Sequence, residues 1–189
     1  MKKLLLLFFV LFMAGCGSKP SELPVMEWGE EDLSIIEKGT QTTISYGMTK
    51  PEIEGILGKE VAVSEASATK EDLIYSGGLF VGYRDGIAAE LVIESDTYQT
   101  NKGITIGSTM QDVEDVCGYT EFSRGTVVVG STAHLTQYIF DSDGNPMTTE
   151  TMPERITSSD DFYVVSFEFE SNRVARIRVC DALFSYKRS

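Results

Sequence analysis

A short sequence pattern occurs twice in this chain, 60 residues apart, and it constrains the fold more than any other feature. Residues 47–58 read GMTKPEIEGILG, and residues 107–118 read GSTMQDVEDVCG. Each copy has a threonine, an acidic residue three positions later, apolar residues at helical spacing and a final glycine. This order predicts a capping box, one apolar face and a glycine stop. We therefore predict two short helices, each of which must pack on other elements because it is too short to be stable alone.

The apolar face of the first helix is predicted to consist of Ile53, Ile56 and Leu57. The second copy has apolar residues at the three corresponding positions, with Cys117 in the place of Leu57. The residues that lead into the helices also correspond, and Tyr46 aligns with an isoleucine. Similarity of cap, face, stop and lead-in at one constant offset indicates a duplicated unit.

A strand–turn–strand pattern follows each helix. Residues 79–95 (LFVGYRDGIAAELVIES) contain Asp85-Gly86, a strong hairpin signal between alternating apolar residues. Residues 164–182 (VVSFEFESNRVARIRVCDA) repeat the pattern around Ser171-Asn172. We predict an antiparallel hairpin in each copy.

The hairpins correspond at an offset of 86 rather than 60, so the second copy contains 26 additional residues. Most of them fall in the polar segment 141–161 (DSDGNPMTTETMPERITSSDD). A long polar insertion in a compact domain is either a mobile loop or a functional one, and this segment is the candidate partner-binding loop. Further strands are predicted at residues 73–75, 126–129 and 135–140, and residues 32–36 are predicted to form a first strand or a short helix.

In the second copy, the helix motif GITIGSTMQDVEDVCG is followed by strands and then by the hairpin motif FEFESNRVARIRV. This arrangement, present in tandem, resembles the beta-lactamase inhibitory protein-like superfamily. Small outer-membrane assembly lipoproteins of the SmpA/OmlA/BamE type belong to that structural group. The resemblance covers roughly residues 30–182. It implies an α+β fold of two tandem units, 28–98 and 99–189, in which short helices pack on one face of an antiparallel sheet. Known members mostly bind proteins, which implies a protein-binding role here.

The first 15 residues are predicted to be a signal peptide, with Lys2 and Lys3 before an apolar run at 4–14. That run is too short for a spanning helix, which needs about 20 apolar residues. Cys16 follows Met-Ala-Gly and resembles the modified cysteine of a bacterial lipobox, in which leucine is more usual than methionine. The resemblance implies a diacylglyceryl thioether on Cys16 and cleavage before it, with residues 16–27 forming a lipidated, flexible tether. The alternative is a plain secreted protein.

A lipidated Cys16 places the protein on the extracytoplasmic face of the cell membrane, held by its N-terminal lipid. Two or three acyl chains anchor a protein stably, whereas one does so only marginally. In a Gram-negative cell, Gly17 after the anchor cysteine indicates the outer membrane. In a Gram-positive cell, only the outer face of the plasma membrane is available.

The charge balance argues against nucleic acid as a partner, because 29 acidic residues outnumber 16 basic ones and the net charge is -13. Most of this acidity is expected to serve solubility. The expected partner is therefore a protein or an envelope component.

Few residues are candidates for chemistry, and no cofactor is expected. His134 has no second histidine and is interpreted as structural or exposed. The stretch DSDGN (141–145) resembles part of a calcium loop, but its glycine comes too early, so a tight turn is favoured. The weak metal candidates are Asp141, Asp143, Asp160 and Asp161.

Cys117 and Cys180 could pair in an exported protein, but separate thiols are favoured because Cys117 occupies a core position.

Taken together, these patterns predict a non-enzymatic, lipid-anchored protein- or envelope-binding module. The alternatives are an inhibitor of a beta-lactamase or a protease and, ranked lower, a small hydrolase or a protein that binds a small ligand or calcium.

Overall fold

The computed structural model describes residues 27–63, 72–128 and 131–187, and this part of the chain is mostly β. The strands are β1 (Ser34–Glu37), β2 (Thr43–Ser45), β3 (Ala62–Val63), β4 (Asp72–Tyr75), β5 (Leu79–Arg84), β6 (Ile87–Ile93), β7 (Tyr98–Thr100), β8 (Ser123–Val128), β9 (Ser131–Phe140), β10 (Tyr163–Glu170) and β11 (Arg173–Asp181). The helices are α1 (Lys50–Leu57), α2 (Met110–Cys117) and α3 (Ala182–Lys187), and 3₁₀ turns occur at Glu30–Leu33 and Ser159–Asp161.

The two repeated helices are confirmed, with their caps. The Thr49 backbone N–H donates to the Glu52 carboxylate at 2.8 Å, and the Thr109 N–H donates to the Asp112 carboxylate at 2.7 Å. Each threonine hydroxyl accepts a hydrogen bond from the backbone N–H of its acidic partner, which completes the capping box. The predicted apolar face is only partly correct, because Ile56 is 42% exposed.

Both predicted hairpins are confirmed. β5 pairs with β6 and β10 pairs with β11, and the two residues of each turn have positive φ. Left-handed conformations at both turn positions match the twist of a two-residue hairpin. Each hairpin also has a β-bulge at the same place, where Ala89 and Ala175 are skipped in the pairing. The two alanines are related by the same offset of 86.

The prediction of an α+β fold built from two tandem helix-plus-strand units is wrong, because the described part is mostly β and its strands do not form two separate units. Strands β3 to β6 of the first copy and β8 to β11 of the second copy form one eight-stranded sheet. Its strand order is β3-β4-β5-β6-β11-β10-β9-β8. The remaining strands form a second sheet with the order β2-β1-β7. A single hairpin layer exposes an unpaired edge. Pairing β6 with β11 covers that edge in both copies, so neither copy has a sheet of its own.

The copies are related by an approximate two-fold axis through the centre of the large sheet. Leu91 pairs with Val179 and Ile93 pairs with Ile177. The offset of 86 maps Leu91 onto Ile177 and Ile93 onto Val179, so the pairing is self-complementary about Val92. This is the symmetry of an isologous dimer interface, here formed within one chain.

The lead-in to each helix is tied to the hairpin of its own copy. The Gly47 N–H donates to the Ala88 carbonyl at 2.8 Å, and the Gly107 N–H donates to the Val174 carbonyl at 2.8 Å. These bonds place α1 and α2 against the same face of the large sheet.

Helices cover both faces of the large sheet, which also corrects the prediction that they cover only one. The main core lies between the two sheets and includes Ile53 of α1 and Val113 of α2. A smaller core on the opposite face includes Val164 and α3 residue Phe184. Val165 belongs to the main core, as expected from the alternation of side chains along a strand.

The other strand predictions are largely confirmed. Residues 73–75 lie in β4, 135–140 lie in β9, and 126–128 lie in β8, while residue 129 is outside the described part. Residues 32–36 contain both predicted alternatives, since the end of a 3₁₀ turn leads directly into β1. Within the described ranges, no helix combines the length and apolarity needed to cross a membrane.

Cys117 and Cys180 are both buried and do not form a disulfide, which confirms the favoured interpretation. Cys117 belongs to the main core and Cys180 to the smaller one. The large sheet separates the two thiols. Burial raises the pKa of Cys117 to about 12, so its thiol stays protonated at neutral pH.

Candidate functional site

A solvent-accessible cleft of about 300 Å³ lies where β9 ends and β10 begins. Its lining comes from four places in the chain: the first 3₁₀ turn, the residues after β2, the paired strand ends Phe140 and Tyr163, and the turn at 141–144. We call this site the acidic cleft. It sits at one end of the molecule and is formed partly by the segment that the second copy gained.

The wall of the acidic cleft is aromatic. Tyr46 and Tyr163 are in edge-to-face contact with ring centroids 5.5 Å apart, and Phe140 lies 6.0 Å from Tyr163. Leu33 adds an aliphatic side chain to the lining. Aromatic pairs of this geometry are mutually stabilising and restrict one another's rotamers.

A tight turn at residues 141–145 forms the rim. One carboxylate oxygen of Asp141 accepts hydrogen bonds from the backbone N–H groups of Asp143 and Asn145, each at 2.9 Å. The Asn145 side-chain amide also donates to Asp141, and this contact is the largest cause that lowers the pKa of the Asp141 carboxyl. The structure therefore confirms the tight turn favoured from the sequence.

Gly144 holds this turn against the start of the domain. Its φ is +83°, and a Cβ atom at this position would lie 1.8 Å from the Trp28 carbonyl oxygen. Only glycine fits both the backbone conformation and the space. Trp28 in turn stacks on Tyr138 and Phe140, with ring centroids at 5.0 and 5.3 Å. The rim is thus fixed to the aromatic core.

A partly buried charged cluster lies behind the aromatic wall. The Tyr46 hydroxyl donates to the Asp181 carboxylate at 3.0 Å, and the Arg84 guanidinium forms an ion pair with the same oxygen. The second Asp181 oxygen accepts from the Phe184 backbone N–H at 3.0 Å. Asp181 is fully buried, and these partners compensate for the loss of its hydration.

The environment keeps both phenols of the wall protonated. Burial raises the pKa of Tyr46, and the negative charge of Asp181 raises it further. Burial also raises the pKa of Tyr163, with added effects of the charges on Asp160, Asp181 and Glu30. Both tyrosines therefore contribute neutral rings to the wall, and the Tyr46 hydroxyl is engaged by Asp181 behind it.

The structure separates the four acidic residues that were the weak metal candidates. Asp141 and Asp143 line the cleft, whereas Asp160 and Asp161 lie in the second 3₁₀ turn and do not. One Asp161 oxygen accepts from the N–H groups of residues 157 and 158, at 2.7 and 3.0 Å. Among the residues that the structure describes, no group of three or more His, Cys, Asp or Glu side chains is arranged to hold a metal.

The polar segment 141–161 is more ordered than its composition indicates. Met147, Met152 and Ile156 pack against the smaller core, and the Met147 N–H donates to the Ile139 carbonyl at 2.8 Å. Only its first few residues take part in the cleft. Of the candidate partner-binding loop 141–161, only residues 141–144 line the acidic cleft, and its contact with a partner remains a prediction.

The other candidate residues lie elsewhere. The His134 ring is half-buried and lies 6.2 Å from the Phe169 ring on the neighbouring strand, away from the cleft. Cys16 lies outside the described residues, so its predicted lipidation remains a prediction.

Sequence reasoning missed Tyr46, Glu30 and the Arg84–Asp181 pair. One signal was present, since Tyr46 occupies a position where the second copy has an isoleucine. Tyr46 carries a hydroxyl group where the equivalent residue of the second copy is purely apolar, which indicates that the two copies have different roles at this position. Arg84 and Asp181 are 97 residues apart and carried no such signal.

Comparisons with known proteins do not identify a family. No protein-family model matches this chain, and no curated protein matches it. Among solved structures, this chain is similar to the crystal structure of an extracellular protein containing an SCP domain from Bacillus anthracis str. Ames. The TM-score is 0.46 with 9% sequence identity, over 76% of this chain and 46% of that chain. This chain thus spans less than half the length of that structure.

Proposed function

We propose that this protein is a lipid-anchored, non-enzymatic binding module outside the cytoplasm, and that the acidic cleft makes its contact with a partner protein. The acidic cleft is the observation that supports this proposal. It combines an apolar aromatic wall with a charged rim, which is the usual anatomy of a protein interface. The rim is held by Gly144, so little order has to be gained on binding.

The state of the two wall tyrosines favours binding over catalysis. A general acid or base works best when its pKa lies near the working pH. The pKa values of Tyr46 and Tyr163 are raised above the usual value near 10, away from neutrality. Both phenols therefore stay protonated and are poorly suited to carry protons, and the Tyr46 hydroxyl is already bound to Asp181.

The proposed anchor would keep the cleft close to the membrane. Residues 16–27 can extend to about 40 Å at most. Gly29 and Glu30 line the cleft, so the tether would enter the domain beside the binding site. A partner exposed near the outer face of the membrane is within reach of this arrangement.

In-cell photo-crosslinking tests the binding role. A photoreactive phenylalanine is placed at Ser142, which is exposed on the cleft rim, and for comparison at Gln111, which is exposed on α2. We expect a discrete protein adduct from Ser142 and none of the same mass from Gln111. If Ser142 yields no adduct, or if both positions yield the same adducts, the acidic cleft is not the contact site.

Replacement of the anchor cysteine tests the location. The Cys16→Ser variant should lose incorporation of labelled palmitate and move from the membrane fraction to the soluble fraction. The Ser18→Ala variant, two residues away, is the matched control and should keep both properties. A Cys16→Ser protein that still carries the label would contradict the anchor.

A further inference from the structure

We propose that the acidic cleft binds a positively charged side chain, a lysine ammonium or an arginine guanidinium, supplied by the partner protein. This inference rests on the proposed binding function and specifies the chemistry of that same site.

Two cations of this chain, in the described part of the fold, each contact both a carboxylate and an aromatic ring. In the first case, the Lys102 ammonium lies 4.8 Å from the centre of the Trp28 ring and 3.1 Å from the Asp32 carboxylate. In the second, the Arg84 guanidinium lies 5.4 Å from the centre of the Phe184 ring and pairs with Asp181. In both cases a cation of this chain pairs with one carboxylate oxygen and lies over the aromatic ring.

The acidic cleft also places carboxylates near aromatic rings, and it is open to solvent. Its lining places Glu30 and Asp143 beside Tyr46 and Tyr163. Among the described residues, no lysine or arginine lines this cleft. The carboxylates and aromatic rings of this cleft therefore have room for a cation from another molecule, whereas elsewhere in the fold this position is taken by a lysine or arginine of the same chain.

The size and the charge of the cleft fit such an occupant. A volume of about 300 Å³ is at the lower end of the range for small-ligand sites, roughly 300–1,000 Å³, which suits one side chain better than a large ligand. Three carboxylates, those of Glu30, Asp141 and Asp143, belong to the lining of the cleft. The net charge of -13 would also attract a basic partner over a longer range.

The rim is arranged before any ligand arrives. Asp141 is held by hydrogen bonds from Asp143 and Asn145, and Gly144 packs on the Trp28 carbonyl. The Asp143 side chain is exposed and its backbone N–H is already used. Asp143 can therefore present its carboxylate to a cation without rearrangement of the turn.

A titration with lysine analogues tests the proposal on the full chain in detergent micelles. The probes are Nα-acetyl-lysine-N-methylamide, its neutral Nε-acetyl derivative and a free diamine, and the readout is the backbone amide shifts of Gly47 and Gly144, which line the cleft. We expect saturable shifts with the cationic amide. The neutral derivative should bind at least tenfold more weakly.

Two matched carboxylate variants localise the effect. Asp143→Asn keeps the backbone bond to Asp141 and removes one rim charge, whereas Asp115→Asn removes one exposed charge from α2, outside the cleft. Loss of one partly exposed ion pair corresponds to roughly a threefold to fivefold weakening for Asp143→Asn. Asp115→Asn should leave binding within experimental error.

Three results would overturn the proposal. They are equal binding of the neutral derivative, equal weakening by both variants, and binding of the free diamine at least tenfold tighter than the lysine amide. The last result would mean that a soluble amine, not a side chain, is the occupant. The titration contains no partner protein, so the two experiments can fail independently. A failed titration would contradict the cation proposal but would leave a positive crosslinking result valid. A failed crosslink would contradict the proposed contact site but would not change the titration result.

Discussion

Replacing Gly144 by alanine should damage the acidic cleft and the stability of the protein together. Gly144 has φ of +83°, and an added Cβ would lie 1.8 Å from the Trp28 carbonyl oxygen. The matched control is Gly86→Ala, since Gly86 has φ of +76° and no atom within 4 Å of its added Cβ. Both variants carry the cost of a left-handed alanine, whereas only Gly144→Ala also carries a steric clash.

The expected magnitudes follow from these two costs. A left-handed alanine costs roughly 1–2 kcal/mol, partly offset by about 0.4–1 kcal/mol because alanine restricts the unfolded chain. We therefore expect Gly86→Ala to lower the free energy of unfolding by about 1 kcal/mol. Overpacking typically adds about 1–3 kcal/mol, so Gly144→Ala should lower it by about 3 kcal/mol. For a chain of this length that corresponds to a fall in Tm of about 6–12 °C.

Tryptophan fluorescence and thermal unfolding measure both effects. Trp28 is the one tryptophan of the chain, and it stacks on Tyr138 and Phe140. Gly144→Ala should therefore change the emission spectrum of the native protein, and Gly86→Ala should not. If the two variants have the same Tm and the same spectrum as each other, the turn does not pack on Trp28 and the description of the rim is wrong.

Three further predictions concern the core, the thiols and the metal candidates. Ile53→Ala should lower the free energy of unfolding by about 2–5 kcal/mol in urea titrations, because Ile53 is fully buried. Ile56→Ala on the same helix should change it by less than about 1 kcal/mol, because Ile56 is 42% exposed. Equal effects of the two substitutions would contradict the placement of α1. In a variant without the anchor cysteine, Cys117 and Cys180 should react with a thiol reagent only after unfolding. Burial raises the pKa of Cys117 to about 12, so on raising the pH the thiol loses its proton in the unfolded state before it does so in the folded state. The free energy of unfolding should therefore fall as the pH rises above about 9. A free energy of unfolding that does not change in this range would contradict the burial of Cys117. Calorimetry with millimolar Ca²⁺ should show no heat of binding, because the Asp141 carboxylate already accepts hydrogen bonds within its turn; a saturable exotherm would restore the metal hypothesis.

Local structure was readable from the sequence wherever it depends on neighbouring residues. The capping boxes at Thr49 and Thr109 were predictable because cap and partner are three residues apart. The hairpin turn at Asp85-Gly86 was predictable because its backbone conformation selects those residue types. The turn at residues 141–145 followed from the same reasoning.

The assembly of these elements was not readable from the repeat. Equivalent local elements are compatible with two separate units or with one shared sheet, because both use the same helices and hairpins. The pairing of Leu91 with Val179 decides between them, and it joins edges far apart in the sequence. Ile56 illustrates the same limit, since helical spacing places it beside Ile53 and only the packing leaves it 42% exposed.

The acidic cleft depends almost wholly on tertiary structure. The sequence by itself determined the duplicated helices, the hairpins and the tight turn, because each is specified by contacts within a few residues. Only the folded chain brings Tyr46, Asp143 and Tyr163 to one cavity and sets Arg84 against Asp181 behind it. These groups come from distant segments, and their proximity follows from how two similar halves share one sheet while differing at its end.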